Sequence, residues 1–359
     1  MAQGLPFVCP TKKADKHTMN NKKQGSGQPL VSVVIPNYNG DKYIINCLVS
    51  VFAQEYSNLE IIVVDDCSID KSPSLLEEFN NIRLILNERN SGFAYSVNRG
   101  IEAAQGEYIL LLNNDVVLNH DFVEKITQAA ENSQRIFSVS SKMIRFKERD
   151  LLDDTGDFMN LFGWGWKRGD GMPVRFFRKP DRVFSACAGA GLYRSSVFDE
   201  IGIFDENHFA YLEDIDIGWR ALIEGYENWY EPQAVCYHIG SATTAGGEKY
   251  SPFKVKISAR NNIYLIYKNM PPVQIAVNLP FLAAGFGIKY LRFAAGGYGK
   301  EYREGFAEGF RNLKKLKKVP VKSKNIGSYL KIEAKLAVNV FRYIHGDRKS
   351  GSAGMPRPI

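Results

Sequence analysis

Cysteine is sparse in this chain and never closely spaced. Cys9, Cys47, Cys67, Cys187 and Cys236 show no CxxC pattern, which excludes a zinc ribbon or dithiol redox motif and favours reduced thiols in a cytosolic protein. Cys47 and Cys67 fall inside elements expected to be regular. An apolar signal core is missing too. Residues 1–28 are polar and Lys-rich and run into GSGQP, the character of a disordered lead-in without a secretion signal. Nor is there a clean hydrophobic span: residues 269–288 carry no charge, but Pro271, Pro272, Pro280, Gly285 and Gly287 interrupt them. That segment is long enough to cross a bilayer and poorly built for it. Gly189-Ala190-Gly191 lacks the third glycine of GxGxxG, so it is not a dinucleotide fingerprint.

What is present is an ordinary folded composition over 359 residues, 45% hydrophobic and 24% charged, enough for one large domain with an appendage. Charge is uneven. Residues 289–349 hold 16 Lys/Arg against 5 Asp/Glu, a net of +11, so the remainder sums to −4 within a total of +7. Such a tail suits an anionic partner, either lipid or nucleic acid. No nucleic-acid recognition motif accompanies it, and Tyr302, Phe306 and Phe310 form an apolar stripe there instead. An anionic membrane surface is the expected partner, and nucleic acid is not.

Val31–Ile35 reads as a strand closed by Pro36-Asn37-Tyr38-Asn39-Gly40. Asp41 is placed to cap a helix in which Tyr43, Ile44, Cys47, Leu48, Val51 and Phe52 recur at helical spacing. A strand at 61–64, a helix at 72–79, a strand at 83–86, a helix at 93–104 and a strand at 108–112 follow. This alternation predicts a parallel, doubly wound sheet with its loops at one edge. Residues 119–180 are less regular: 122–130 helical, 137–144 extended, and 153–171 rich in Gly, Asp and Trp. In a helix over 211–225, Leu212, Ile215, Trp219 and Leu222 share a face, and Glu213 and Asp214 fall in the first turn, where the helix dipole favours carboxylates. Residues 235–238 end an extended piece and 254–268 are helical. Next comes a helix with Tyr302, Phe306, Phe310, Leu313 and Leu316 on one side, then another with Leu330, Ala334, Ala337, Phe341 and Ile344. With Lys314, Lys315, Lys317 and Lys318 nearby, this is the pattern of helices lying in a membrane surface. A helical subdomain packed on the core, or a homodimer contact, is the alternative.

Chemistry-bearing residues gather where strands end. Tyr108–Leu112 has the length and composition of a strand buried on both faces, and it stops at Asn113-Asn114-Asp115. Amides and a carboxylate at a strand's carboxyl end stand where open α/β sheets bind ligand, and a hard divalent cation takes such oxygen ligands. Loops 36–40, 65–68 and 90–93 converge on the same edge. Asp66, with Asp65 behind it, can accept hydrogen bonds from a base or a ribose; helix capping is the ordinary role of such a run.

In order and spacing, VSVVIPNYNG, IIVVDDCSID, NSGFAYSVNRG and GEYILLLNNDVVL resemble the nucleotide-sugar half of family 2 glycosyltransferases of GT-A fold. GAGLYRSSVFDEIGIFDENHFAYLEDIDIGWRALIEGY and AVCYHIGSATT resemble the acceptor half, and together the likeness covers about residues 30–268. It is nearest in character to rhamnosyltransferase-like bacterial members that build surface polysaccharides on lipid carriers. The resemblance implies that Pro36, Tyr38 and Asp66 hold the nucleotide and that Asn90 and Gly92 line the sugar-nucleotide pocket. Asn113-Asn114-Asp115 stands at the family's metal-binding DxD position, with Asn113 replacing the first Asp. Asp115 is then the anionic ligand of Mg2+ or Mn2+, and His238 completes the metal shell or touches the diphosphate. Glu213-Asp214 matches the catalytic ED pair, with Asp214 the general base and Asp216 behind it orienting Arg220. Gly189-Ala190-Gly191 resembles the loop beneath the acceptor sugar. Trp164 and Trp166, with Trp219, are candidate stacking surfaces for that sugar.

The expected organisation is a disordered lead (1–28), an α/β GT-A domain (29–268, its nucleotide-sugar half 29–118 and acceptor half 119–268), a membrane-associating helical region (269–345) and a flexible tail (346–359). The expected activity is metal-dependent, inverting transfer of a sugar from a nucleotide-sugar donor to a lipid-linked glycan at the cytoplasmic face of the cell membrane. dTDP-rhamnose is the favoured donor, with UDP-hexose next. The competing reading is a non-catalytic nucleotide-sugar or glycan-binding protein on the same fold. Asn113 favours it; Asp115 and Asp214 oppose it.

Overall fold

The computed structural model describes residues 27–239 and 250–345. Cys9, most of the lead, the tail from residue 346 and the 240–244 portion of the AVCYHIGSATT stretch lie outside the described residues.

Strands and helices alternate through the first half as β1 Val31–Asn37, α1 Ile44–Phe52, β2 Leu59–Asp65, α2 Ser72–Leu76, β3 Arg83–Leu86, α3 Phe93–Ala103 and β4 Tyr108–Leu112. The chain continues with β5 Val116–Leu118, α4 Phe122–Glu131, β6 Ile136–Arg145, β7 Leu152–Asp154, β8 Asp157–Met159 and β9 Gly165–Lys167. Then come β10 Asp181–Val183, β11 Ala190–Arg194, α5 Ser195–Ile201, α6 Glu213–Glu224 and β12 Glu227–His238. Four helices close the described chain: α7 Pro252–Asn269, α8 Pro272–Ala295, α9 Gly299–Arg311 and α10 Ile326–His345.

The main sheet runs β10-β12-β6-β11-β4-β1-β2-β3, with β5 on β12 and β7 on β6. β3, β2, β1 and β4 are parallel, as the strand–helix alternation predicts, while β11 lies antiparallel between β4 and β6. The sheet is therefore mixed, and its parallel half is the part whose motifs resemble a nucleotide-sugar half. Every residue of β4 is buried, and each of its fully buried leucines contributes about 1.5–3 kcal/mol. Parallel pairing sends the carboxyl ends of β1, β2 and β4 to one edge, which fixes where their loops meet.

Some local expectations change. Asp41 is not a helix cap: its backbone N–H donates to Asp70 Oδ2 at 2.8 Å, and α1 starts behind Tyr43 with no side-chain cap. Cys67 sits in the loop after β2 at φ 62°, not inside a regular element. The Gly/Asp/Trp-rich segment contains three short strands, two of which pair as a separate hairpin.

The charge-free run breaks at Pro271-Pro272, between α7 and α8, but not at Pro280. α8 passes through Pro280 at a cost of about 3 kcal/mol, and a periodic face of Asn278, Leu282, Gly285, Lys289 and Phe293 packs inward to offset it. Among the described residues no helix is long and apolar enough to cross a membrane. α10 buries Tyr329, Ile332, Leu336 and Tyr343, leaving the stripe of Leu330, Phe341 and Ile344 exposed. α7 and α9 approach very closely. A Cβ on Gly305 would stand 2.0 Å from the Lys256 carbonyl oxygen, and one on Gly309 would stand 2.8 Å from Ile263 Cβ, so only glycine fits at these two positions.

Candidate active site

The loops after β1, β2 and β4 meet the N-terminus of α6 and the end of β12 around a cavity of about 750 Å3. On the donor side, Asn37 Nδ2 donates to Asp65 Oδ2 at 2.7 Å and to Ser72 Oγ at 2.9 Å, while its Oδ1 accepts from Asn114 Nδ2 at 2.7 Å. One amide thus ties three strand ends together. Asp66 Oδ1 accepts from Ser91 N at 2.9 Å and Asn87 Nδ2 at 2.8 Å, and its Oδ2 accepts from Gly92 N at 2.8 Å. That carboxylate shapes the loop carrying Asn90 and Gly92, and it also lines the cavity. Gly92 is at φ 92°, and a Cβ there would lie 2.5 Å from the Phe209 ring. Glycine is needed for both reasons.

Asp115, at the end of the β4 loop, faces His238, the last residue of β12. Their Oδ1 and Nε2 atoms are 3.4 Å apart, and His238 Nδ1 meets Asp153 Oδ2 at 2.9 Å. Burial works against the imidazolium, but the hydrogen bonds to Asp115 and Asp153 outweigh it and hold His238 up at about 9. Asp153 also binds Lys167 Nζ at 3.0 Å. Its burial is overcome by Lys167 and His238, which keep it well below the usual carboxylate range. These residues fit a divalent cation. Two donors about 2.1 Å from one ion at a right angle stand about 3 Å apart, close to the Asp115–His238 spacing. Asp153 on Nδ1 turns Nε2 toward Asp115, the second carboxylate that metal-bound histidines commonly carry.

Glu213 and Asp214 reach the cavity through a strained approach. Phe209, Tyr211 and Leu212 all have φ between 64° and 69°, a conformation costing about 1–3 kcal/mol at each non-glycine residue. Asn261 on α7 holds it: its Nδ2 donates to the carbonyls of His208, Ala210 and Tyr211 at 2.9, 2.8 and 2.7 Å. Arg260 binds the Asn207 and His208 carbonyls at 3.1 and 2.9 Å, and Ala94 N–H donates to the Phe209 carbonyl at 3.1 Å. Behind the turn, Asp216 binds Arg220 Nε at 2.9 Å and Lys268 Nζ at 2.8 Å, so its expected contact with Arg220 is present within a larger ion network.

Burial raises Asp214, while the N–H groups of Ile215 and Ala188 and the Asp157 carboxyl restrain the rise. Burial, then the neighbouring Asp214, raises Glu213 well above its ordinary value. Asp157 is 1% exposed, and no donor among the described residues reaches either of its oxygens. Its neighbour is another carboxyl, so the Asp157–Asp214 pair closes a hydrogen bond only when one member carries a proton. Burial and the charges of Asp154 and Asp214 raise Asp157 well above the ordinary carboxylate range. Asp154, Asp157 and Cys187 bring donor atoms within 4.8 Å of one another beside Lys167. Burial lifts Asp154 to about 7, with Lys167 opposing and Asp153 adding to the rise.

The cavity therefore gathers Pro36, Tyr38, Asp66, Asn90, Gly92, Asn113, Asn114, Asp115, Gly189, Glu213, Asp214 and His238. Ala190 and Gly191 belong to β11 and are buried in the sheet next to Gly189. Trp164 and Trp166 do not line it. Their rings lie 5.2 and 5.1 Å from that of Tyr343 on α10, and Trp164 Nε1 donates to the Gly285 carbonyl on α8 at 3.0 Å. Trp219 is wholly buried against Phe184. All three are packing residues. Sequence reasoning missed Asp153, Asp157, Lys167 and Lys254, which line the same cavity, and took in Asn37 only as part of loop 36–40. The signal was the repeated Asp of LLDDTGDF, inside a segment noted for its Asp content but read for its tryptophans.

Residues 32–202 match the family model described as Glycosyl transferase family 2. Just under half of this chain is thus similar to family 2 glycosyltransferases. The glycosyltransferase GlyG of Streptococcus pneumoniae serotype 4 is 37% identical over 106 residues, 28% of this chain and 35% of that protein. The putative teichuronic acid biosynthesis glycosyltransferase TuaG of Bacillus subtilis is 33% identical over 130 residues, 35% of this chain and 52% of that protein. The matches thus span about half or less of these curated relatives. In fold, the domain is similar to GalNAc-T7, solved with UDP, GalNAc and Mn2+, at a TM-score of 0.55 and 16% identity, covering 67% of this chain and 48% of that one.

Proposed function

We propose that this glycosyltransferase domain moves a sugar from a nucleotide-sugar donor, with inversion, to a saccharide acceptor in surface polysaccharide synthesis. The observation that carries the reading is the sharing of one cavity by the Glu213–Asp214 pair and by the Asp115–His238 pair. Asp66 and Tyr38 bind the nucleotide and Asn90 and Gly92 the attached sugar. Asp115 and His238, with Asn113 lining the same cavity, would hold Mg2+ or Mn2+. That ion supplies positive charge to the leaving diphosphate.

Asp214 accepts the proton of the acceptor hydroxyl as its oxygen bonds to the anomeric carbon and the bond from that carbon to the diphosphate breaks. Asp157, keeping its own proton, donates to Asp214 and fixes its orientation. No covalent sugar–enzyme intermediate is needed. dTDP-rhamnose is the first donor to test, on the sequence likeness, followed by UDP- and GDP-sugars. The acceptor is carried on a lipid at the cytoplasmic face of the membrane, a reading supported by the basic C-terminal stretch and the exposed apolar stripe of α10.

Calorimetric titration of dTDP-, UDP- and GDP-sugars with and without Mn2+ tests this directly. One donor is expected to bind tightly only with the ion. No binding of any donor removes the transferase reading. Tight binding without turnover for every acceptor offered supports instead a non-catalytic binding protein, the reading that Asn113 in place of an aspartate favours.

A further inference from the structure

The C-terminal helices enclose a second cavity, about 540 Å3 in volume, which is within the range of small-molecule sites. Ile266 on α7, Leu279, Ala283 and Phe286 on α8, and Phe306 and Phe310 on α9 wall it. Arg303 is the one charged residue of its lining among the described residues. The chain leaving Phe310 carries Arg311, Lys314, Lys315, Lys317 and Lys318, and no acidic residue occurs between Glu308 and Glu333. The groove is thus hydrocarbon-lined with a cationic rim.

It is also next to the active site. α7 presents Lys254, Val255 and Ser258 to the catalytic cavity and Ile263 and Ile266 to the groove. Ser258 and Ile263 are about 7.5 Å apart along the axis at 1.5 Å per residue. On α8, Phe293 faces the catalytic cavity and Tyr290 the groove. The wall between the two contains the stacked rings of Phe293 and Tyr302, 5.4 Å apart.

We propose that this groove holds the hydrocarbon chain of a phosphate-bearing lipid acceptor whose sugar reaches the neighbouring catalytic cavity. The inference rests on the transferase reading for the sugar, and on the groove alone for the chain. Charge selects the occupant. The Lys-rich lead of this chain and the rim of a second copy are both cationic and are repelled, whereas a lipid phosphate is attracted. A lining almost without polar groups suits an occupant that has no donors or acceptors to satisfy along its length.

The test uses the full chain and farnesyl phosphate, a sugar-free isoprenyl phosphate, in equilibrium dialysis. Gly287 lines the groove, and a Cβ there meets nothing within 4 Å, so Gly287→Trp fills the space without displacing backbone. Saturable binding at one per chain is expected, weakened at least tenfold by Gly287→Trp and several-fold by Arg303→Gln. Nucleotide-sugar binding, measured on the same samples, reports that the variants are folded. Absence of saturable binding, or unchanged binding by Gly287→Trp, overturns the proposal. So does binding that emerges only after removal of residues 1–26, which makes the lead the occupant, or a dimer that Gly287→Trp dissociates. Capture of phosphatidylglycerol vesicles without saturable farnesyl phosphate binding overturns it in favour of bulk membrane contact. Because the probe carries no sugar, failure of every donor would sink the transferase reading while leaving the chain site standing.

Discussion

In the proposed reaction Asp214 and Asp157 form a pair in which one carboxyl works by losing its proton and the other by keeping it. Asp214→Asn is expected to lower kcat by about 100- to 10,000-fold with donor affinity nearly unchanged; lost donor binding would move Asp214 out of the base role. Asp157→Asn retains a donor toward Asp214 and should keep most activity, whereas Asp157→Ala should not. The pH dependence follows from the same contacts. Burial raises Asp214 and the Asp157 hydrogen bond restrains that rise. A base is active once deprotonated, so kcat/KM should climb with pH through a limb above the ordinary carboxylate value of about 4. Asp157→Ala should move that limb to higher pH, and an unmoved limb would show that Asp157 does not touch the titrating base. At this scale placement on the cavity was legible where a motif stands at the end or start of an element, as at Asp66, Asp115, Asp214 and His238. It was not legible where a residue matters through a partner far along the chain: Asp153 meets His238 across 85 positions, and no local pattern marks it.

Among the elements, α7 holds the turn that leads to the proposed base. Asn261 satisfies three carbonyls of a turn held in left-handed conformations, so Asn261→Ala should release that turn and lower kcat about tenfold or more while leaving donor binding alone. An equal loss of donor affinity would mean that the whole cavity has collapsed. α8 holds a different liability. Lys289 is 4% exposed, its Nζ donates to Asn262 Oδ1 at 3.0 Å, and burial pushes it down to about 7. Between about 7 and the ordinary lysine value of about 10.5 the unfolded chain binds more protons than the folded one, so stability should rise with pH across that window. Lys289→Met should flatten the rise; Tm measured from pH 7 to 10 checks it. Element identities were readable from periodicity nearly throughout. The errors lie where context overrides it, as when α8 continues through Pro280 because its inward face is packed. The tryptophans went the same way, since helices distant in sequence offered their rings a dry contact.

For the whole molecule, charge and apolar exposure concentrate in the C-terminal helices, away from the donor loops. Leu330 and Phe341 are 68% and 66% exposed on α10. Replacing both with Asp should reduce flotation with anionic vesicles and leave Tm nearly unchanged; unaltered flotation would exclude this face as the membrane contact. Truncation after Lys268 is a poorer probe, because α9 covers α7 and its loss would disturb the turn that α7 clamps.

The contact at Gly305 and Gly309 also constrains how such a protein can diversify. Any side chain at either position would push α9 off α7, and α7 in turn sets the turn before Glu213. A C-terminal region borrowed from another transferase would have to bring α7 with it, or else match its surface atom for atom. The workable point of exchange between lineages is therefore ahead of Asn207, so that the turn and the helix that clamps it stay together. Donor loops can be traded on one side of that boundary, while the helices beyond it are inherited together.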